Sequence, residues 1–285
     1  SLGAYLAGSW FMYFAVPSIG YDQYILEGFE EHIRLGGLGH PNSTGRIAAL
    51  ALILVFVFRT HYRVSWRVLG LPLAGIAFSL WWAGSRTAMV AGVLAVLVAT
   101  RRTSGPLAVL FGLAPAIIVP LAWLVLGGDV HALMEDVSRT GEVSEIYELN
   151  GRVPLWHWIT GRIAEAPIAG YGFACPRFVL IDYGEEWASA HSHNLFLQVA
   201  LSTGVLGLLF FSATALSLLG GLLNRVSEFP DAILALTLVS GIADVSLFSP
   251  VPDSFTLCWI FALFWREPDV IERDARESAA GGTIS

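Results

Sequence analysis

Lysine is absent from this 285-residue chain, and all 16 of its basic residues are arginine. Composition bias accounts for that as readily as function does, so it carries no argument. Charge as a whole is scarce: 14% of residues are charged and 55% are hydrophobic, with a mean hydropathy of +0.64. Soluble domains carry roughly 25% charged residues, which excludes an ordinary soluble fold. Cysteine is nearly absent. Cys175 and Cys258 lie far apart in sequence and in expected depth, which excludes a disulfide framework, and no metal-ligand spacing accompanies them. The net charge of −7 argues against nucleic acid as a partner. A G-x-S-G nucleophile motif is missing, which removes a membrane protease from consideration. A basic n-region is missing before the first apolar stretch, Leu2 to Ile19. A signal peptide is therefore the weaker reading, and a chain lacking its upstream spans the stronger.

What the chain does contain is apolar runs near bilayer length. In lipid every backbone polar group must be satisfied within its own segment, so such runs are expected to be helices. The expected fold is all-α: a polytopic transmembrane helix bundle with a large outer loop carrying amphipathic helices, N-terminally truncated. Eight spans are expected, near 4–19, 45–58, 67–83, 87–100, 106–126, 194–223, 231–248 and 254–266. In domain terms, residues 1–126 hold about five spans and 127–193 form the extracytoplasmic loop. Residues 194–266 hold about three more spans, and 267–285 form a disordered cytoplasmic tail. Arg59, Arg63, Arg67, Arg101, Arg102, Arg225, Arg266, Arg273 and Arg276 fall on alternate connections. The positive-inside rule makes that side cytoplasmic. Residues 20–44, the Gly84-Ser85-Arg86 turn, the long loop and 249–253 then face outward.

The outer loop is too long for a plain connection, so function or a small fold of its own is expected there. Asn150-Gly151-Arg152-Val153-Pro154 reads as a helix start, with proline in the first turn. Trp156, Ile159 and Ile163 repeat at helical spacing up to Ala166-Pro167, which predicts an amphipathic helix over 152–166 lying on the membrane surface. Ala169-Gly170-Tyr171-Gly172 reads as a turn.

The chemistry-bearing residues gather on the outer side. Arg152 beside a helix N-terminus makes an anion site, because backbone N–H groups and guanidinium point the same way. Arg86 interrupts an apolar sequence at a cost of at least about 2.5 kcal/mol on insertion scales, and so calls for a partner or water; snorkelling to headgroups answers the same need. Arg162 and Arg177 read first as surface ion-pairing residues and second as binding residues. Ala190-His191-Ser192-His193-Asn194 sets two imidazoles one residue apart before an apolar run. Both titrate near neutrality and can act as bases, with His193 the better placed and His191 in support. Asn194 either caps the next helix or orients the imidazole. His40, Asn42 and Ser43 present a similar choice, with Asn42 or Ser43 the expected cap of the span that begins near Arg46. Asp244, near the outer end of a span, reads as a cavity residue or a membrane-edge carboxylate.

These pieces, in order, resemble the O-antigen ligase/polymerase superfamily, multispan bacterial membrane proteins that share a Wzy_C-type domain. The matching residues are Gly39-His40-Pro41-Asn42, Gly84-Ser85-Arg86-Thr87-Ala88, and Asn150-Gly151-Arg152 with Trp156. They continue with Pro167 and Gly170-Tyr171-Gly172, then Ser192-His193-Asn194 with Gly204 and Gly207. The set spans about residues 35–225, and the chain departs from the family by lacking several N-terminal spans. The resemblance implies metal-independent, inverting glycosyl transfer without a cofactor, from a polyprenyl-diphosphate-linked glycan to an acceptor hydroxyl of a glycan or of lipid A-core. It implies that Arg86 and Arg152 hold the diphosphate and that His193 is the base. It also implies that His191, Asn194, Asn42, His40, Arg162 and Arg177 serve substrate binding, with no metal ligands. The expected place is the bacterial inner membrane, multi-pass, with the active face outward. A non-enzymatic polysaccharide export or transport protein is the alternative, and an inactive truncated family member a third. A transporter calls for midplane ionisable residues and repeat symmetry, and neither is evident.

Overall fold

The structure, a computed structural model, describes residues 2–24, 32–100, 147–149, 151–184, 191–224, 228–245 and 254–265. The described chain is predominantly helical. Its long helices carry apolar side chains on every face (Phe14, Leu71, Phe210 and Phe264 are all exposed), the pattern of a helix that meets either core or lipid. Two helical stretches, Pro41–Arg59 and Leu195–Gly220, are long and apolar enough to cross a membrane, the second only when counted across its break at Gly204. The expected span at 106–126, the first part of the loop 127–193 and the tail 267–285 lie outside the described residues.

Helix α1 (Leu2–Ala15) and the short α2 (Pro17–Gly20) lead into a two-stranded antiparallel hairpin, β1 (Tyr21–Tyr24) and β2 (His32–Leu35), with Tyr21 opposite Leu35. The hairpin is the one addition to the expected helices among the described residues, and it falls within the segment 20–44 expected on the outer side. The hairpin is tied down from its second strand. Arg34 is buried, and its Nε donates to the Ala83 carbonyl at 3.0 Å while Nη2 donates to Asn42 Oδ1 at 3.0 Å.

Helix α3 (Pro41–Tyr62) begins four residues before its expected start, with proline in the first turn. Its cap is His40, whose Nδ1 accepts the Asn42 N–H at 3.2 Å. That corrects the expectation that Asn42 or Ser43 caps it. Asn42 is instead held by Arg34, and proline at the first position fixes the start two residues before the one an Asn42 cap would set. Helix α4 (Trp66–Trp82) is capped by Ser65, and after the Gly84 turn α5 (Arg86–Thr100) packs back on α3. Small residues allow that approach: a Cβ on Gly45 would lie 2.9 Å from Ser85 Cβ, and one on Gly92 2.9 Å from Ala49 Cβ. This is close packing of the kind helices use in lipid, where no hydrophobic drive separates helix from solvent.

The loop helix α6 (Arg152–Glu165) matches the expected 152–166, burying Leu155 and Ile159 on one face. It starts at Gly151, with φ 75°, and is followed by α7 (Pro176–Val179) and a 3₁₀ turn (Leu180–Tyr183). Leu155, Ile159, Cys175, Leu180 and Leu201 form a small core of their own.

The apolar run expected as one span at 194–223 is broken. Helix α8 (Leu195–Asn224) is interrupted at Gly204, with φ 62° and ψ −162°. Phe196 and Phe211 would stand about 22 Å apart on a straight helix rising 1.5 Å per residue. Their ring centroids are 6.0 Å apart, so the two halves fold back on each other. The reversal is locked by backbone bonds to the preceding turn. Tyr171 N donates to Leu201 O (2.9 Å), Gly172 N to Ser202 O (2.9 Å), Val205 N to Pro167 O (2.8 Å) and Leu206 N to Ile168 O (3.3 Å). Helix α9 (Glu228–Gly241) then packs against α3 and α8, and α10 (Ser254–Phe264) against α9.

Candidate functional site

The site is built around three consecutive residues that follow α9. Ile242 O accepts Asn194 Nδ2 at 3.0 Å, and Ala243 O accepts Arg152 Nη1 at 2.6 Å. Asp244 Oδ2 lies 2.5 Å from Arg46 Nη1. One turn of chain thus receives one side chain from each of the histidine loop, the loop helix and α3. Arg46 is buried five residues inside α3 and also donates to Val245 O (3.3 Å) and Ser43 Oγ (3.3 Å), with its guanidinium 5.5 Å from the centre of the Phe255 ring. Asp244 Oδ1 accepts the Val245 N–H at 2.8 Å. Both members of this ion pair are buried and both are further hydrogen-bonded, the condition under which a buried pair is sustained.

The histidine loop is fixed from both sides. Ser192 is fully buried: its N–H donates to Gln198 Oε1 (3.0 Å), its hydroxyl to Asn194 O (2.7 Å), and its carbonyl accepts the Trp156 indole N–H (3.0 Å). Asn194 Oδ1 accepts the Leu197 N–H at 3.0 Å. Asn194 is therefore a helix cap and a tether to Ile242 at once. His193 takes φ 51°, a left-handed conformation that costs a non-glycine residue roughly 1–2 kcal/mol and persists only where surroundings over-determine it.

The His191 and His193 rings are 4.1 Å apart, centroid to centroid. One nitrogen of each ring and a carboxylate oxygen of Asp244 lie within 4.8 Å of one another. That spacing is compatible with a divalent ion, but Arg46 already answers the Asp244 charge, and Arg152 and His40 also act electrostatically on His191. The surroundings of the imidazoles are thus net positive, which favours an anion. Burial holds the His191 imidazole below its ordinary range against the pull of Asp244, with Arg46, His40 and Arg152 adding to the lowering. His191 is therefore neutral near pH 7, and its buried Nδ1 has no hydrogen-bond partner among the described residues.

The expected site residues divide accordingly. His191, His193, Asn194 and Arg152 come together, and His40 is near enough to act on His191. Asn42 is held by Arg34 at the start of α3. Arg86 is exposed at the first position of α5, directly after buried Ser85, whose Cβ faces Gly45 of α3. Arg162 is engaged elsewhere, with Glu165 Oε2 at 3.0 Å and Asp182 Oδ2 at 2.8 Å. Tyr171 donates to the same Glu165 carboxylate at 2.8 Å, and that bond first and Arg162 second hold the carboxyl below its usual range. The Arg177 guanidinium lies 4.9 Å from the centre of the Phe178 ring. Three members had no assigned role from sequence: Arg46, Arg34 and Gln198. The available signal for Arg46 was a charge set among apolar residues of α3, with a second charge, Asp244, just past the end of α9.

The family model described as O-Antigen ligase matches residues 48–212. A protein of Rickettsia conorii named "Putative polysaccharide ligase" is 39% identical over 69 residues, which is 21% of this chain and 17% of that protein. One of Rickettsia prowazekii with the same name is 36% identical over 91 residues, 28% of this chain and 22% of that protein. The chain thus matches about a fifth of the length of these curated relatives. No solved structure matches it.

Proposed function

The chain belongs to the O-antigen ligase family, and from that premise we propose that it transfers glycan from a polyprenyl-diphosphate carrier to an acceptor hydroxyl at the outer face of the bacterial inner membrane. In this reading residues 1–126 and 194–266 supply the multi-pass helices, and the loop 127–193 supplies the reacting face. His193 takes the proton of the acceptor hydroxyl. The hydroxyl oxygen attacks the anomeric carbon from the side opposite the leaving group, and the bond from that carbon to the diphosphate oxygen breaks with its electron pair. Attack from the opposite face inverts the anomeric centre. Arg152 and Arg86 bind the departing diphosphate. A guanidinium has five donors in a fixed fork, a geometry that suits the several oxygens of a diphosphate. Matched charge on the leaving group is the role a metal plays in other transferases.

The observation that carries this reading is the meeting of Arg152 and the histidine loop on Ile242 and Ala243, which sets a cation beside two imidazoles. General-base catalysis contributes about 10²–10⁴-fold, and one transition-state donor about 10²–10³-fold. Transfer from purified lipid-linked donor to lipid A-core or to a second glycan unit tests it, with His193→Ala and Arg152→Ala each expected to fall by those factors. Undiminished transfer by both variants removes the assignment. The acceptor that supports turnover separates ligase from polymerase.

A further inference from the structure

The small core beneath the outer loop takes up only part of the loop's apolar side chains. Helix α6 turns Leu155 and Ile159 into it and shows His157, Thr160, Gly161 and Glu165 outward. Its apolar stripe is thus consumed within the loop unit, and its outer face is polar. The stretch that follows is built the other way. Pro176 and Leu180 are buried, yet Ile168 (68%), Phe173 (62%), Phe178 (66%) and Ile181 (61%) stand exposed. Phe178 and Ile181, three residues apart, share one face of this turn. Apolar residues exposed singly need no explanation, whereas several on one small unit mark a contact surface.

We propose that residues 168–181 seat the loop in the adjoining leaflet of the bilayer, with Phe173, Phe178 and Ile181 among the upper acyl chains and Arg177 at the phosphates. The proposal needs α8 in a membrane, and neither the transfer chemistry nor the orientation proposed above. Its support is continuity with α8. Pro167 O and Ile168 O accept the N–H groups of Val205 and Leu206, and Tyr171 N and Gly172 N donate to Leu201 O and Ser202 O. Those bonds hold the stretch at the point where α8 reverses. Val205, Leu206, Leu209 and Phe210, which open the second half of α8, are exposed. The apolar surface of the loop therefore begins where the exposed apolar surface of a membrane-crossing stretch ends, which favours acyl chains over a soluble partner. Arg177 adds a second sign. Its guanidinium lies 4.9 Å from the centre of the Phe178 ring, so a cation and an aromatic ring share one spot, as at a lipid–water boundary. Arg162, Glu165 and Asp182 pair with one another, which leaves this side of the loop unit apolar with one cation at its edge.

The test uses the full-length protein in vesicles of phosphatidylethanolamine and phosphatidylglycerol, with three photoreactive diazirines compared by mass spectrometry. Two are phospholipids that carry the group near the glycerol or at the end of an acyl chain, and the third is a small water-soluble reagent. The shallow lipid probe should label 173–181 as strongly as 205–210. The chain-end probe should label 173–181 at least about fivefold less, because it lies about 15 Å deeper in a hydrocarbon core of about 30 Å. The water-soluble reagent should mark His157, Thr160 and Glu165 and spare Phe173, Phe178 and Ile181. Labelling of 173–181 by the water-soluble reagent overturns the proposal. So does labelling of 173–181 by none of the three, which means that protein covers the patch, or lipid labelling of α6 in its place. Lipid labelling of 205–210 alone confines the failure to the loop, whereas its absence there also removes α8 from the membrane. Glycan transfer is not scored, so either failure leaves that reading to its own assay.

Discussion

Replacing Gly204 by alanine adds one methyl group at the point where α8 reverses. Its φ of 62° and ψ of −162° lie in a region essentially restricted to glycine, at a cost of about 1–3 kcal/mol for other residues. The new Cβ would stand 2.3 Å from Ile168 O, 2.4 Å from Ile168 C and 2.7 Å from Ala169 N. All three are backbone atoms, so no rotamer change relieves the contact and the two segments must part. Val205 N to Pro167 O and Leu206 N to Ile168 O are the first bonds affected, and each contributes about 1 kcal/mol net. The sum is roughly 3–5 kcal/mol, a large share of the 5–15 kcal/mol typical of folded proteins. At about 2–4 °C per kcal/mol for a chain of this size class, thermal unfolding in detergent should fall by at least about 6 °C. Gly220→Ala is the control: nothing lies within 4 Å of its added Cβ, so it should match or exceed wild type, as helical glycine-to-alanine changes do. Equal midpoints for the two variants would refute the argument from backbone conformation.

Other consequences are as direct. Asp244→Asn leaves Arg46 buried without its counter-charge and should cost about 3–5 kcal/mol, while Arg46→Met combined with Asp244→Leu should recover most of it; denaturation of the single and double variants decides. Trp156→Phe keeps the ring and removes the indole N–H from Ser192 O, and about 1 kcal/mol of stability together with slower glycan transfer is expected. Because the folded His191 value lies below the ordinary 6.5, its contribution is complete above pH 6.5. It is lost as the pH falls toward the folded value, where the unfolded chain takes a proton the native site refuses. The fall in unfolding midpoint between pH 7.5 and 5.5 should therefore be shallower in His191→Asn than in wild type, and parallel curves would contradict it.

Helix positions were legible in the sequence where polarity changes sharply. The expected 67–83 is found as Trp66–Trp82, and the loop helix 152–166 as Arg152–Glu165. The break at Gly204 was not legible by the same means, because apolar residues fill both sides of it and a lone glycine is tolerated in a helix at about 1 kcal/mol. What distinguishes it is a backbone angle, and the surrounding glycines (Gly170, Gly172, Gly204, Gly207) signal it only once their partners are known. At the site, single residues announced themselves by type, as His193 and Arg152 did. The pairing of Arg46 with Asp244 joins positions 198 residues apart, and no local pattern encodes a contact of that range. Arg34 likewise acts through the Ala83 carbonyl, a group that leaves no trace in residue identity.

The attachment of Ile242, Ala243 and Asp244 to three distant segments has a consequence for how this stretch can vary. Each residue answers to a different donor, and the donors are fixed by helices that cannot slide to follow. Deleting or inserting one residue between Gly241 and Val245 would shift every carbonyl in the series onto the wrong side chain, whatever its composition. Substitution at Ile242 or Ala243 alters only a side chain, since both serve their partners through backbone oxygen. Ile242 and Ala243 should tolerate changes of letter, Asp244 should not, and none of the three should tolerate a change of length.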